Sequence, residues 1–350
     1  MHTNLTIRKT AGLQYLSQDQ ILEVHRATLE VLETTGVKVF EEEALALLRE
    51  AGAEVEGNSV RIPGYLIEEA IRMAPKRISL ANRNGRRTIF LEGGRIYFGT
   101  GSDTPYILDT GSGKIRSAVK ADVEVVSRIC DYLPNIDFVM SMGLLSDYHP
   151  KIQDIHQFIA MLTNTVKPII FTSHNRKTLE YKIAIAEEVA GSSENLRRNP
   201  FLALYTEPSS PLMHSREAVE KLLLCAEKGI PVVYTVGIMA GATAPITSAG
   251  LMVTANAELL SGLLMAQLKK KGAPVIYGGM VTAMDMATGI FSYSAPELYR
   301  RQAAMSEMSK FYGLPIFGVG GCSDACIFDV QAGIEQGYTL LMAALSGVNL

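Results

Sequence analysis

A short phrase recurs through the chain from residue 136 onward. A Pro or small residue leads a run of β-formers, and the run ends in Gly, Thr, Ser or Met. The copies are Ile136-Asp137-Phe138-Val139-Met140, Pro168-Ile169-Ile170-Phe171-Thr172, Pro200-Phe201-Leu202-Ala203-Leu204-Tyr205-Thr206, Pro231-Val232-Val233-Tyr234-Thr235, Pro274-Val275-Ile276-Tyr277-Gly278 and Pro315-Ile316-Phe317-Gly318. Gly347-Val348-Asn349-Leu350 reads as the opening of a seventh copy. Continuous apolar runs of this length are what strands buried on both faces require, and parallel strands need crossovers between them. The spacing therefore predicts a TIM (β/α)8-type barrel, truncated in the seventh unit. Function is expected where its strands end.

The intervening segments carry helical periodicity at 122–132, 156–162, 178–190, 215–228, 247–271, 295–311 and 329–345. Gly229, Gly272 and Gly313 stand just past three of them as stops, and Pro296 sits where a first-turn proline is tolerated. The chain before residue 116 reads differently. A helix is expected over 18–35, with Ser17 as N-cap and Gln20 as its capping-box partner. Further helices are expected at 41–51 and 65–73. Short extended segments lie at 60–63, 77–81, 88–91, 95–98 and 106–109, with hairpin signals at Asn84-Gly85 and Gly93-Gly94. The expected division is a helical and antiparallel-β cap over 1–115 and a barrel over 116–350, its C-terminal end missing.

Composition narrows the function classes. Of 350 residues, 47% are hydrophobic and 20% charged, enough for a large core. A net charge of −3 gives no electrostatic footprint for nucleic acid or an anionic membrane. Cys130, Cys225, Cys322 and Cys326 are too scattered for a disulfide framework, which points to a reducing cytoplasm. The first residues contain no apolar leader, and no apolar run of membrane-spanning length is free of Gly, Pro or charge. The apolar composition leaves a homo-oligomer open.

The strand ends are rich in small residues, methionines and aromatics and poor in charge. Small residues at a barrel mouth leave room for a large group to approach the backbone. Aromatic faces suit a quaternary ammonium, and a carboxylate or two would balance its charge. Each feature also has a packing explanation. Tyr and Phe in strands usually fill cores. The glycines at 237–241 and 318–321 would suit a phosphate, but no basic residue lies in either loop. Cys322 and Cys326 lack further ligands for a metal or cluster. His149, His174 and His214 follow different strands, so convergence on a metal and separate structural roles both stay open. Glu207 precedes a Pro-rich turn, where a structural and a catalytic role are both open.

Several phrases together resemble the trimethylamine methyltransferase family, in its non-pyrrolysine branch that includes glycine betaine methyltransferase. They are Tyr97-Phe98-Gly99-Thr100-Gly101-Ser102-Asp103-Thr104-Pro105, Lys167-Pro168-Ile169-Ile170, Glu207-Pro208-Ser209-Ser210-Pro211-Leu212, Gly320-Gly321-Cys322-Ser323-Asp324-Ala325, Asp329-Val330-Gln331-Ala332-Gly333 and Ser346-Gly347-Val348-Asn349-Leu350. The resemblance implies a TIM-barrel enzyme that moves a methyl group from a methylated amine to the cobalt of a corrinoid. That corrinoid (cobalamin) is carried by a separate corrinoid-binding protein, so no tightly bound cofactor of the chain's own is expected. Pyrrolysine marks the founding members, and every residue here is standard. A quaternary amine, with glycine betaine favoured, suits its absence, because the leaving group is then a neutral tertiary amine. The expected ammonium-balancing residues are Glu207 and Asp324. Tyr97, Phe98, Tyr205, Phe291, Phe317 and Phe328 are expected to line the substrate. His149, His174 or His214 would meet a substrate carboxylate. Gly237, Gly279, Gly320 and Gly321 would face the corrinoid. A metal-dependent lyase or hydrolase and a non-catalytic binding protein remain the competing readings.

Overall fold

The computed structural model describes residues 11–109 and 111–350. The leader expectation at the first residues lies outside the described residues. The repeat forms strands as expected: Val139–Met140, Ile169–Phe171, Leu202–Thr206, Val232–Tyr234 with Val236–Ala240, Val275–Ala283 and Ile316–Phe317. Each pairs with the next in parallel, with Met140 opposite Ile170, Ala203 opposite Ile170, Tyr205 opposite Val233, Val233 opposite Ile276 and Gly278 opposite Phe317. The result is a mixed α/β architecture with a curled parallel sheet, consistent with a TIM-type barrel.

Hydrogen bonds carry the curl past both edge strands. Asn349 and Leu350 donate their N–H groups to Ile316 C=O at 3.0 and 3.2 Å, and Gly318 N–H donates to Leu350 C=O at 2.9 Å. On the other side Asp137 N–H donates to Phe98 C=O at 2.6 Å, and Gly99 bridges Phe138 in parallel. Tyr97 N–H then donates to Asn349 C=O at 2.9 Å. The bonds therefore run from 97–99 through the repeat strands to Leu350 and back to Tyr97. The segment at 95–98 was expected to return along 88–91 from a turn at Gly93-Gly94. It pairs instead with Asn349 and the first repeat strand, because its backbone groups fill the gap between them.

Strand alternation sorts the side chains. Phe138, Met140, Ile170, Ala203, Val233, Ile276 and Leu350 form one buried cluster, with Tyr97, Tyr205 and Phe317 against it. Their neighbours Val139, Ile169, Phe171, Leu202, Leu204 and Tyr234 belong to the larger core shared with the helices. The hairpin Ile78–Ala81 and Arg87–Leu91 sends Ile78, Leu80, Ile89 and Leu91 into the inner cluster. It is fixed by Ala81 N–H to Pro200 C=O at 2.7 Å and Arg83 N–H to Val166 C=O at 2.8 Å, at the amino ends of the strands. That end is plugged, so chemistry is left to the carboxyl ends.

The expected helices form, among them Lys120–Tyr132, Arg176–Ala190, Arg216–Lys228 and Pro296–Tyr312. The Ser17–Gln20 capping box is present, and Gly229, Gly313 and Gly347 cap in the left-handed conformation. Sequence reading missed the short helix Ser193–Arg198 and the strand Met213–His214, which pairs in parallel with Val37–Val39. Helix Ser248–Lys269 is long and apolar enough to cross a membrane by length and composition, and most of it is buried. Helices Gln18–Thr34, Glu42–Glu50 and Gly64–Met73 pack on it.

Candidate active site at the carboxyl ends of the strands

The third repeat strand supplies the centre of the site. Tyr205 and Glu207 are two residues apart on an extended segment, so both face the interior. The Tyr205 hydroxyl donates to the Glu207 carboxylate. Phe317, from the sixth strand, meets the Tyr205 ring edge-on with centroids 5.6 Å apart. Burial pushes the Glu207 carboxyl above its usual range, the Tyr205 bond opposes this, and the nearby Asp103 charge adds to it. A Cβ on Gly237, the second residue of the strand Val236–Ala240, would stand 3.7 Å from Glu207 Oε2. That is ordinary van der Waals distance, and Gly237 itself is exposed.

Asp103 is the residue sequence reasoning passed over. It lies in the family-like phrase at 97–105, and the only signal was an acid in an otherwise neutral run. Its backbone is left-handed, with φ of 47°, and its N–H donates to Ser141 C=O at 2.6 Å. Its Oδ1 accepts from the Thr172 hydroxyl at 3.3 Å and the Gln157 amide at 3.4 Å. Burial raises its carboxyl, against those two bonds. Behind it Lys182 is fully buried and donates to Asp154 Oδ2 at 2.8 Å and Thr172 C=O at 2.7 Å. Burial pushes the Lys182 ammonium down to about 8, opposed by Asp154. Lys182 shares a helix face with Leu179, Ile183 and Ala186, and a lysine on an apolar stripe was the readable signal there. Tyr293 was also missed. Its ring is tilted at 46° to that of Phe291 with centroids 4.8 Å apart, and it lies close enough to Glu207 and Asp324 to feel their charge.

The remaining expected residues disperse. Tyr97 lies deeper in the inner cluster, and its hydroxyl accepts from Phe90 N–H at 3.1 Å. Phe98 alternates away from it. Phe291 sits on the loop after the fifth strand, and Phe328 is 83% exposed. Asp324 accepts from the Ser292 and Ser294 hydroxyls and from the N–H groups of Tyr293 and Ser294. It thereby ties the loops after the fifth and sixth strands together, and burial is outweighed so that its carboxyl stays below the usual range. Gly279 is buried with φ of 134°, and a Cβ there would strike Val236 C=O at 2.3 Å. Gly320 and Gly321 pack against Ala343 and Leu340 of the final helix Val330–Ser346.

The histidines do not converge. His149 and His174 are exposed on separate loops. His214 is fully buried, with Nδ1 2.7 Å from the Tyr234 hydroxyl and Nε2 2.8 Å from Ser261 Oγ. Burial pushes its imidazole down to about 3, so it is neutral. Among the described residues no three His, Cys, Asp or Glu side chains form a metal-holding group. The rim carries apolar side chains instead: Ile246, Met286, Ile290 and Ile327 are all exposed on the loops after the fourth to sixth strands.

The family profile of trimethylamine methyltransferase (MTTB) matches residues 2–350. The chain belongs to that family. Among curated MTTB proteins it is 36% identical to a trimethylamine methyltransferase MttB of Desulfitobacterium hafniense, over 97% of this chain and 69% of the relative. It is 34% identical to the MttB of Methanosarcina barkeri, over 96% of this chain and 70% of that protein. A glycine betaine methyltransferase of Desulfitobacterium hafniense is 29% identical over 95% of this chain and 70% of its own. The chain is thus a methyltransferase of the MTTB family. At the strand ends Tyr205 touches both Glu207 and Phe317, and Asp103 lies near enough for Glu207 to feel its charge.

Proposed function

We propose that the chain transfers a methyl group from a quaternary N-methylamine to a corrinoid carried by a partner protein. Glycine betaine is the donor expected from sequence. The observation that carries this reading is the pairing of Tyr205 and Phe317 rings with the Glu207 carboxylate at the carboxyl ends of the strands. Aromatic faces beside a carboxylate suit a desolvated ammonium. When bound, the corrinoid supplies a cobalt nucleophile that accepts the methyl group. Gly237 is exposed beside Glu207, and its lack of a side chain suits the approach of such a large group. The apolar rim at Ile246, Met286 and Ile290 suits a docked partner. The chain's own work is orientation and charge. The rings hold the ammonium, Glu207 balances it, and the plugged amino end keeps water from below. The N–CH3 bond breaks with its electron pair left on nitrogen, so a neutral tertiary amine departs and no general acid is required. Asp324 serves by fixing the loop that presents Phe291 and Tyr293.

The test is an anaerobic assay with chemically reduced cobalamin and a panel of quaternary amines, following loss of the cob(I)alamin absorbance. Methylation by at least one amine, abolished in Glu207→Ala, is the expected result. No methylation by any amine, with or without a corrinoid protein, would remove the reading.

A further inference from the structure

Three carboxylates and two lysines gather at the ends of the second and third repeat strands. Asp103 feels Asp154 and Lys182, Glu207 feels Asp103 and Lys221, and Lys221 feels Asp154. The two ammonium groups come from the outer helices Arg176–Ala190 and Arg216–Lys228. Both are spent on the strand from behind. Lys182 is held by Asp154 and Thr172 C=O, and Lys221 donates to Ser173 C=O at 2.8 Å. The carboxylates of Asp103 and Glu207 face the other way. Their partners are the inward Thr172 and Tyr205 hydroxyls, which the register places on adjacent strands. With all five groups ionised, one negative charge is left over, and it lies on the inner side.

We propose that the methyl donor is a net cation, a quaternary N-methylammonium with no carboxylate of its own, held between Asp103 and Glu207. This rests on the methyl-transfer reading above and departs from the betaine expected from sequence. A donor carboxylate would enter a mouth that already holds two anions, and both nearby lysines point away from it. The histidines expected to receive it give no help. His214 is sealed in the outer layer, and the other two sit on exposed loops. A simple cation leaves the cluster neutral, whereas a zwitterion leaves it one charge short.

The experiment is calorimetric titration of the intact protein with tetramethylammonium, choline, glycine betaine, carnitine and the neutral carbon isostere of choline. Wild type is compared with Asp103→Asn. Asparagine tolerates the left-handed backbone at this position, so the variant keeps its fold, and a thermal melt verifies that. Choline or tetramethylammonium should bind at least about tenfold tighter than the betaines and the neutral isostere, and Asp103→Asn should erase about tenfold of that preference. Betaine binding as tight as choline, or a preference untouched in Asp103→Asn, would overturn the proposal. The cobalamin assay separates the two claims. Turnover with betaine and not with choline would keep the reaction and sink the charge selection. Cation-selective binding with no methylation by any amine would sink the reaction alone.

Discussion

Glu207 sits between two opposing influences, burial that raises its carboxyl and a Tyr205 hydroxyl that lowers it. Tyr205→Phe keeps the ring and removes only the second. The Glu207 carboxyl then moves further up, so ionised Glu207 is lost at a higher pH. The acid limb of kcat/KM should shift upward, and a pH–rate profile reads it directly. Tyr205→Ala removes the ring as well and should cost about 1–2 kcal/mol of donor binding. Glu258 offers a second titration. It is buried and accepts from Ser210 Oγ at 2.7 Å and Leu212 N–H at 2.9 Å, and burial pushes it up to about 7. A folded-state value above the unfolded one means the folded chain holds the proton more tightly. Stability from this group is therefore present at low pH and fades as pH rises toward about 7. Glu258→Gln can still accept from Leu212 and donate to Ser210, so thermal melts across pH 5 to 8, at roughly these values, should lose that slope.

Elements announced by a leading proline and an apolar run were legible, because burial on both faces leaves a continuous trace in the residues. The segment at 97–99 was legible as extended chain, but its place in the sheet was not. It has no leading proline, its run is short, and Gly99 exists because a Cβ would strike the Phe138 ring at 2.3 Å. Its partners, Asn349 and Phe138, are remote in sequence, and local pattern carries no sign of such pairing. At the site, Tyr205, Glu207 and Phe317 were named from strand position together with the family resemblance, and the fold brings these three side chains together. Asp103 depended on a loop whose inward turn is set by tertiary hydrogen bonds. His214 shows the opposite error, since its position after a strand suggested the mouth and its own strand pairs with Val37–Val39. Ser261 donates to Ala257 C=O at 2.7 Å, so His214 Nε2 carries the proton and Nδ1 accepts from Tyr234. Its folded value lies below the unfolded one, so the neutral ring stabilises above about pH 6.5 and this is lost as pH falls toward 3. His214→Leu should cost about 1–3 kcal/mol near neutral pH and flatten that acid loss, as measured by urea unfolding at several pH values.

Across the whole molecule, the two edges of the curled sheet meet at Asn349. Its side-chain oxygen accepts from Ile316 N–H at 2.9 Å, and its amide donates to Gly93 C=O at 3.2 Å and Arg95 C=O at 2.7 Å. Asn349→Ala orphans those groups in a buried place and should lower unfolding free energy by about 2–4 kcal/mol, which denaturant titration would reveal. The helix Ser248–Lys269 has a comparable reach. Asn256 bonds Thr28, Tyr277 and Tyr312, Glu258 holds the loop after Glu207, and Ser261 holds His214. A single rod thus anchors the N-terminal helix Gln18–Thr34, the fifth strand with the helix that follows it, and the loop beside Glu207. None of these can loosen alone without breaking a buried bond to it. Amide protons at 209–213 should consequently exchange with deuterium at the slow rate of that helix rather than at the rate of an ordinary surface loop. The loop next to the reacting centre would then keep time with the slowest part of the protein.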